Sequence, residues 1–385
     1  MRHTLRTALM ASAMALTAFA AHAQMKIGVV NSASGPVSSI GIPYNKGIAA
    51  AMVNGGVVDG QKLTVVTIDD TSDPAVAARA TRKLIEEDHV DVIMGSAGTP
   101  ASLAMYAVAA EMKTPMVFLA NGGVPGDKGV WEVTIPQPPP LMIDADIELM
   151  RKAGIKTVGY IGYNDAWGDL VYNSLKAAAD KAGIQIVANE RFARADTSVT
   201  PQVLKIMALH PDAILTGGSG SPGALPHIAF TERGYKGAQY STHAIINSEF
   251  VRVGGPAVEG LVAPTGPVVV AEQLPDGNPI KKVALQFRAD YQKANGSPST
   301  DAFAAYGYDG MLIAADAAKR VAAKGVAPGT PEYRVALREA LASTHELVGT
   351  HAVYSFTPAS RWGTDERSRV MVKLDHGAWK LVPGS

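Results

Sequence analysis

Cysteine is absent from all 385 residues, aromatic side chains make up 6%, charged ones 18%, and neither sign of charge prevails, with 35 basic against 35 acidic groups. The missing cysteine excludes disulfides, thiolate nucleophiles and thiolate-held metals. The balanced charge leaves no positive field to gather phosphates, so nucleic acid is excluded as a partner. Beyond the N-terminus, no apolar run approaches the roughly 20 residues a bilayer crossing needs. What remains is 47% hydrophobic, with 38 Gly and 24 Pro. A folded chain of this length exceeds one compact core, and two domains are expected.

The first residues read as an address. Arg2, His3 and Arg6 precede an apolar run from Ala8 to Ala20, and Ala21-His22-Ala23 supplies the small-x-small pattern of a signal peptidase site. A cleavable signal over 1–23 is expected, and with no cysteine to carry lipid the mature protein should be soluble in the periplasm. Loss of Arg2 and Arg6 leaves 33 basic against 35 acidic side chains, a net charge of −2.

From Met25 onward, short β-branched runs alternate with segments of helical period, which predicts parallel sheets flanked by helices. Strands are predicted at 26–31, 62–69, 90–95, 115–119, 157–162, 184–191, 213–216 and 260–263. Their apolar character implies burial on both faces. Helices are predicted at 44–54, 74–88, 101–111, 141–152, 168–182, 201–209, 224–233 and 302–322. Asp73-Pro74, Thr99-Pro100 and Thr200-Pro201 each place a capping side chain before a helix-starting proline. The rhythm breaks at the proline-rich stretch 135–140 and again at 263–267, which reads as two crossings between domains. Each half opens with a strand that ends in a polar, small-residue loop, 31–36 and 163–168. Two doubly wound lobes would face each other across a cleft lined by such loops.

Machinery for catalysis is not found. The phosphate loop, the His-Glu-x-x-His helix and the Gly-x-Ser-x-Gly elbow are all missing. Gly217-Gly218-Ser219-Gly220-Ser221 breaks the last pattern at its fifth position and reads as a binding loop. Nine histidines show no paired ligand spacing, so neither a metal nor a cofactor is expected. Asp69, Asp70 and Asp73 form the one dense acidic cluster; Asp73 is read as a helix cap, and the other two as closing a strand onto loop N–H groups. Met105 and Tyr106 read as core. A binding protein, not an enzyme, is the expectation.

Several motifs then converge. Ile27-Gly28-Val29-Val30, Ser34-Gly35-Pro36, Asp69-Asp70-Thr71-Ser72-Asp73-Pro74, Val90–Gly95, Asp165-Ala166-Trp167-Gly168, Val258-Glu259-Gly260 and Ala305–Gly310 form an ordered set. It resembles the leucine/isoleucine/valine-binding proteins, type I periplasmic solute-binding proteins of ABC importers. The resemblance implies two α/β lobes with a three-stranded hinge: 24–138 with 265–346, and 139–264 with 347–385. It also implies a ligand closed between the lobes, an inner-membrane ABC permease as partner, and a monomer.

In the amino-acid binders of that family a hydroxyl at the position of Thr99 grips the ligand carboxylate, and an acid in the second lobe pairs with the ammonium. Here the acidic position falls on His243, and the commonly aromatic position of Ile40 is aliphatic. The segment 38–43 also resembles members that import aromatic carboxylates. The implied ligand is therefore a small aromatic or hydrophobic carboxylate. Thr99, free N–H groups after Pro100 and Asn121-Gly122-Gly123 would hold its anion. Ile40 and Trp167 would enclose its apolar body, with Ser39, Ser219 and His243 open to a ring hydroxyl or, for the histidine, the anion. Branched-chain amino acids, or a sensor role beside a membrane kinase, are the alternatives.

Overall fold

The computed structural model describes residues 24–122, 124, 128–358 and 360–382; the expected signal peptide and Gly123 lie outside them. The chain folds into two lobes, each built on a mostly parallel sheet. In the first lobe β1 (Met25–Asn31), α1 (Ser38–Ala51), β2 (Val57–Val58), β3 (Gln61–Asp69), α2 (Pro74–Glu86), β4 (Val92–Gly95), α3 (Thr99–Glu111), β5 (Met116–Phe118) and β6 (Glu132–Thr134) follow in order. Their sheet order is β2-β3-β1-β4-β5-β6, and only the β2–β3 pair is antiparallel.

The second lobe begins with α4 (Pro139–Lys152) and continues through β7 (Thr157–Tyr163), α5 (Ala166–Ala182), β8 (Gln185–Phe192), α6 (Thr200–Met207), β9 (Ala213–Gly217), α7 (Ala224–Glu232), β10 (Ala238–Ser241), α8 (Ser248–Gly254) and β11 (Val262–Thr265). The chain then adds α9 (Pro279–Asn295), α10 (Ala302–Ala322) and α11 (Pro331–Ala342). The hairpin β12 (Leu347–Val348) and β13 (Val353–Tyr354) comes next, before β14 (Val370–Asp375) and β15 (Ala378–Leu381) close the second sheet in the order β15-β14-β11-β10-β9-β7-β8.

In both sheets the strand order reverses at the first strand, β1 between β3 and β4, and β7 between β8 and β9. That reversal is the switch point beyond whose strand ends doubly wound sheets bind ligands.

Local signals explain most helix starts. The Asp73 carboxylate accepts from the N–H groups of Ala75 and Val76 at 2.7 and 3.0 Å. Asp69 likewise accepts from Ala33 and Thr71, and Asp70 from Ser72. Thr99 and Thr200 do not cap: Gly98 and Val199 hold those positions without side-chain bonds. The Thr99 hydroxyl instead donates to Asn121 O at 2.8 Å. Pro139 and Pro140 do not interrupt a helix but form the first turn of α4, where a proline costs no hydrogen bond.

The expectation of strands buried on both faces fails for β3 and β8, which lie toward the sheet margins and are largely part-exposed. Strands β10, β14 and β15 and helices α9 and α11 were not predicted; Lys373 and Lys380 break the apolar pattern of the antiparallel pair β14–β15.

Helix α10 is buried nearly all round. It lies against α1 so closely that a Cβ on Gly47 would stand 1.7 Å from Ala304 O. The three passages between lobes run side by side. Gln137, on the first, donates to Ser368 O on the third at 2.6 Å and accepts from Tyr306 Oη at 2.5 Å. Residues 347–364, expected in the second lobe, are instead fastened to the first. The buried Asp309 of α10 accepts from Thr350 N, His351 N and Tyr354 Oη, and Thr134 N donates to Arg361 O. Among the described residues no helix is long and apolar enough to cross a membrane.

Candidate functional site

Loops at the carboxyl ends of strands in both sheets converge on one cavity of about 360 Å3 of atom-free space, its opening included. From the first lobe come Ile40 and Tyr44 on α1, Ala97 and Thr99 after β4, Ala120 and Asn121 after β5, and Pro136 after β6. From the second come Trp167 after β7, Arg194 after β8, Ser219 after β9, and His243 with Ala244 after β10. Phe303 and Tyr306 of α10 complete the wall.

Of the residues expected to bind ligand, Ile40, Thr99, Asn121, Trp167, Ser219 and His243 line this cavity; Ser39 and Gly122 do not. Ser39 spans the lobes: its hydroxyl accepts from Ser221 N at 3.0 Å and its carbonyl from Asn247 Nδ2 at 3.3 Å. Gly122 packs on the Phe118 ring, which a Cβ there would meet at 2.6 Å.

Arg194, Tyr44, Phe303 and Tyr306 were missed. The three rings add to Trp167 to make the wall largely aromatic, with Tyr44 and Phe303 edge to face at 5.6 Å. Asn121 is held rigidly, its amide donating to Gln137 O at 3.1 Å and its carbonyl accepting from Trp362 Nε1 at 2.6 Å.

Arg194 is the one ionised side chain among the described lining residues. Its Nε donates to Asp165 Oδ2 at 2.6 Å and its Nη1 to Ser219 Oγ at 2.9 Å, while the guanidinium lies 4.1 Å from the Tyr163 ring centre. Asp165 is meanwhile occupied at its other oxygen, which caps α5 through Trp167 N and Gly168 N. A cation clamped on three sides is pre-organised to meet an anion.

His243 is not such a cation. Burial pushes its pKa down to about 3, so the ring is neutral near pH 7. It stands edge to face with Trp167 at 5.9 Å, and its Nδ1 has no hydrogen-bond partner. As a neutral imidazole it keeps one N–H donor and one acceptor nitrogen.

Two lobes closed over a small aromatic-walled cavity, with polar groups presented from strand ends on both sides, define a hinged ligand-binding protein. The chain belongs to the periplasmic binding protein family, whose model matches residues 24–367. That family consists of substrate-binding proteins rather than enzymes.

Rp1789 of Rhodopseudomonas palustris (strain CGA009) is 40% identical, with a TM-score of 0.89 over 93% of this chain and 99% of that one. Leu/Ile/Val-binding protein homolog 3 of Brucella melitensis is 24% identical over 63% of this chain and 67% of its own length. An ABC-transporter solute binding protein of R. palustris, solved in complex with benzoate, shares the fold at a TM-score of 0.74 and 20% identity over 93% and 95% of the two chains.

Proposed function

We propose that this protein captures a small aromatic or hydrophobic carboxylate in the periplasm, after removal of residues 1–23, and delivers it to an inner-membrane ABC permease. One observation carries the reading: among the described lining residues there is a cation, Arg194, and no carboxylate. An amino acid's ammonium would then be buried without a charge partner, at a cost of several kcal/mol, whereas a bare carboxylate finds one. The aromatic wall supplies the rest of the affinity by apolar contact.

The lobes hinge about three passages, at 135–138, 265–266 and 364–369, and closing them buries the ligand. The benzoate complex of the R. palustris protein adds support at the level of the fold. Branched-chain amino acids are the second reading, favoured by the name of the Brucella relative.

A thermal-shift screen of benzoates, cinnamates and aliphatic amino acids decides between them, since bound ligand raises the melting temperature by mass action. Aromatic acids are expected to stabilise the protein and leucine to leave it unchanged. Stabilisation by leucine with none by aromatic acids would sink the proposal.

A further inference from the structure

The seam between the lobes carries a buried carboxyl group away from the ligand. Asp301, 8% exposed, precedes α10 of the first lobe, and its Oδ1 accepts from Phe303 N and Ala304 N at 2.9 and 3.1 Å. The same carboxyl accepts from the backbone N–H of Ser248, which begins α8 of the second lobe. One residue earlier, Asn247 Nδ2 donates to Ser39 O of α1. Residues 247–248 thus hold the first lobe at two points, and neither Ser248 nor Asp301 lines the cavity.

The surroundings of Asp301 are poor in positive charge. From α1 it meets Tyr44 and Lys46, from α9 Tyr291, and from α8 the Ser248 N–H. Burial pushes both phenols above their ordinary range, so they are neutral; the Tyr44 hydroxyl donates to Leu119 O, and that of Tyr291 faces the Ser299 side chain. Lys46 is exposed, and among the described residues no cation forms an ion pair with Asp301. With the lobes apart, water reaches the carboxyl from the side that α8 covers. Closing exchanges that water for one N–H, and a charge stripped of solvent costs more than a single neutral donor returns. A protonated carboxyl escapes this cost. Both cap bonds end on Oδ1, so Oδ2 can carry the proton without disturbing the start of α10. In keeping with this, burial pushes the pKa of Asp301 up to about 7 in the closed arrangement, from an ordinary 3.8.

We infer that Asp301 takes up a proton as the lobes close, so that capture tightens as the surroundings become mildly acidic and loosens as they become alkaline. The coupling belongs to closure and is the same for any ligand the lobes enclose. Taking the ordinary carboxyl value for the open form, the closed form holds the proton below about pH 7 and the open form only below about pH 4. Between pH 8 and pH 6 the closed form therefore gains about tenfold over the open one, and near pH 6 each capture absorbs close to one proton.

The test is calorimetry of the purified protein with benzoate and with leucine at pH 8 and pH 6, each in two buffers of different ionisation enthalpy. Neither Arg194 nor the carboxylate of either ligand titrates in that window. For whichever ligand binds, wild type should bind about tenfold tighter at pH 6, with a buffer-dependent enthalpy that reports the proton. Asp301→Asn should lose both effects while keeping the helix cap, which asparagine supplies as well as aspartate. Equal wild-type affinity at the two pH values, or a wild-type enthalpy at pH 6 independent of buffer, overturns the inference and needs no variant to fold. Retention of the wild-type pH dependence by Asp301→Asn overturns it equally. If neither ligand binds, the proposed function falls, and small-angle scattering of the ligand-free protein decides the coupling: contraction of wild type from pH 8 to pH 5 that Asp301→Asn lacks supports it, and superimposable wild-type curves overturn it.

Discussion

Replacing Arg194 by glutamine tests the anion site directly. The side chain is 16% exposed and fixed by Asp165 and Ser219 at 2.6 and 2.9 Å, so little reorganisation is needed to receive a carboxylate. A charge-assisted bond is worth about 1.5–3 kcal/mol, and truncating one partner of a desolvated pair about 2–5 kcal/mol. Taking about 3 kcal/mol, the dissociation constant of an aromatic acid should rise roughly a hundredfold. The fold should lose only about 1 kcal/mol, because a partly exposed ion pair contributes little and Asp165 keeps its cap bonds to Trp167 and Gly168.

Calorimetry with benzoate and its uncharged isostere benzamide separates charge from packing, because the cycle of two ligands and two proteins isolates the coupling. Benzoate should weaken about a hundredfold and benzamide less than about threefold. Arg194→Lys should fall between, keeping the charge and losing the planar fork that stacks on Tyr163. Equal weakening of both ligands by Arg194→Gln, or no weakening of benzoate, would refute the anion site.

Three other outcomes follow from the packing. Ser39→Ala removes one bond across the closed cleft, and ligand affinity should fall about fivefold without a change in the small-angle scattering radius of the saturated protein; unaltered affinity would show that closure does not depend on it. Gly47→Ala should cost about 1–3 kcal/mol or more in urea denaturation, since the new methyl meets backbone at Ala304 that cannot yield, and a wild-type midpoint would contradict the α1–α10 contact.

His227, bonded to Thr216 and Gln239 at 2.9 and 2.8 Å, has its pKa lowered to about 4 by burial. Its unfolded value is near 6.5, so its stabilising effect is complete above pH 6.5 and is lost as pH falls toward 4, on the order of 3 kcal/mol. Stability of His227→Gln should therefore decline less steeply than wild type over that range, and parallel pH profiles would refute the assignment.

The parallel core was legible because buried strands such as β1 and β4 carry continuous apolar runs, and Asp73-Pro74 announces its helix unambiguously. Thr99-Pro100 has the same form yet fails as a cap. Tertiary contact decides: Asn121 O accepts the hydrogen bond of the threonine hydroxyl at 2.8 Å, leaving Gly98 to begin α3. Strand β10 escaped because Ala238-Gln239-Tyr240-Ser241 alternates weakly, and its parallel partners β9 and β11 make it a strand. Phe303 and Tyr306 were placed on the correct helix, but nothing local says which side of a uniformly buried helix faces a ligand.

Arg194 was invisible for a deeper reason. It sits in a short polar loop after β8 that reads like any surface turn, and its partner Asp165 is 29 positions away. The balanced charge of the whole chain says nothing about where a single charge is buried. Asp165 meets Arg194 through one oxygen and two N–H groups of α5 through the other. The same aspartate that starts the helix carrying Trp167 thus also aims the cation, so the apolar wall and the proposed anion site of the second lobe share one carboxylate.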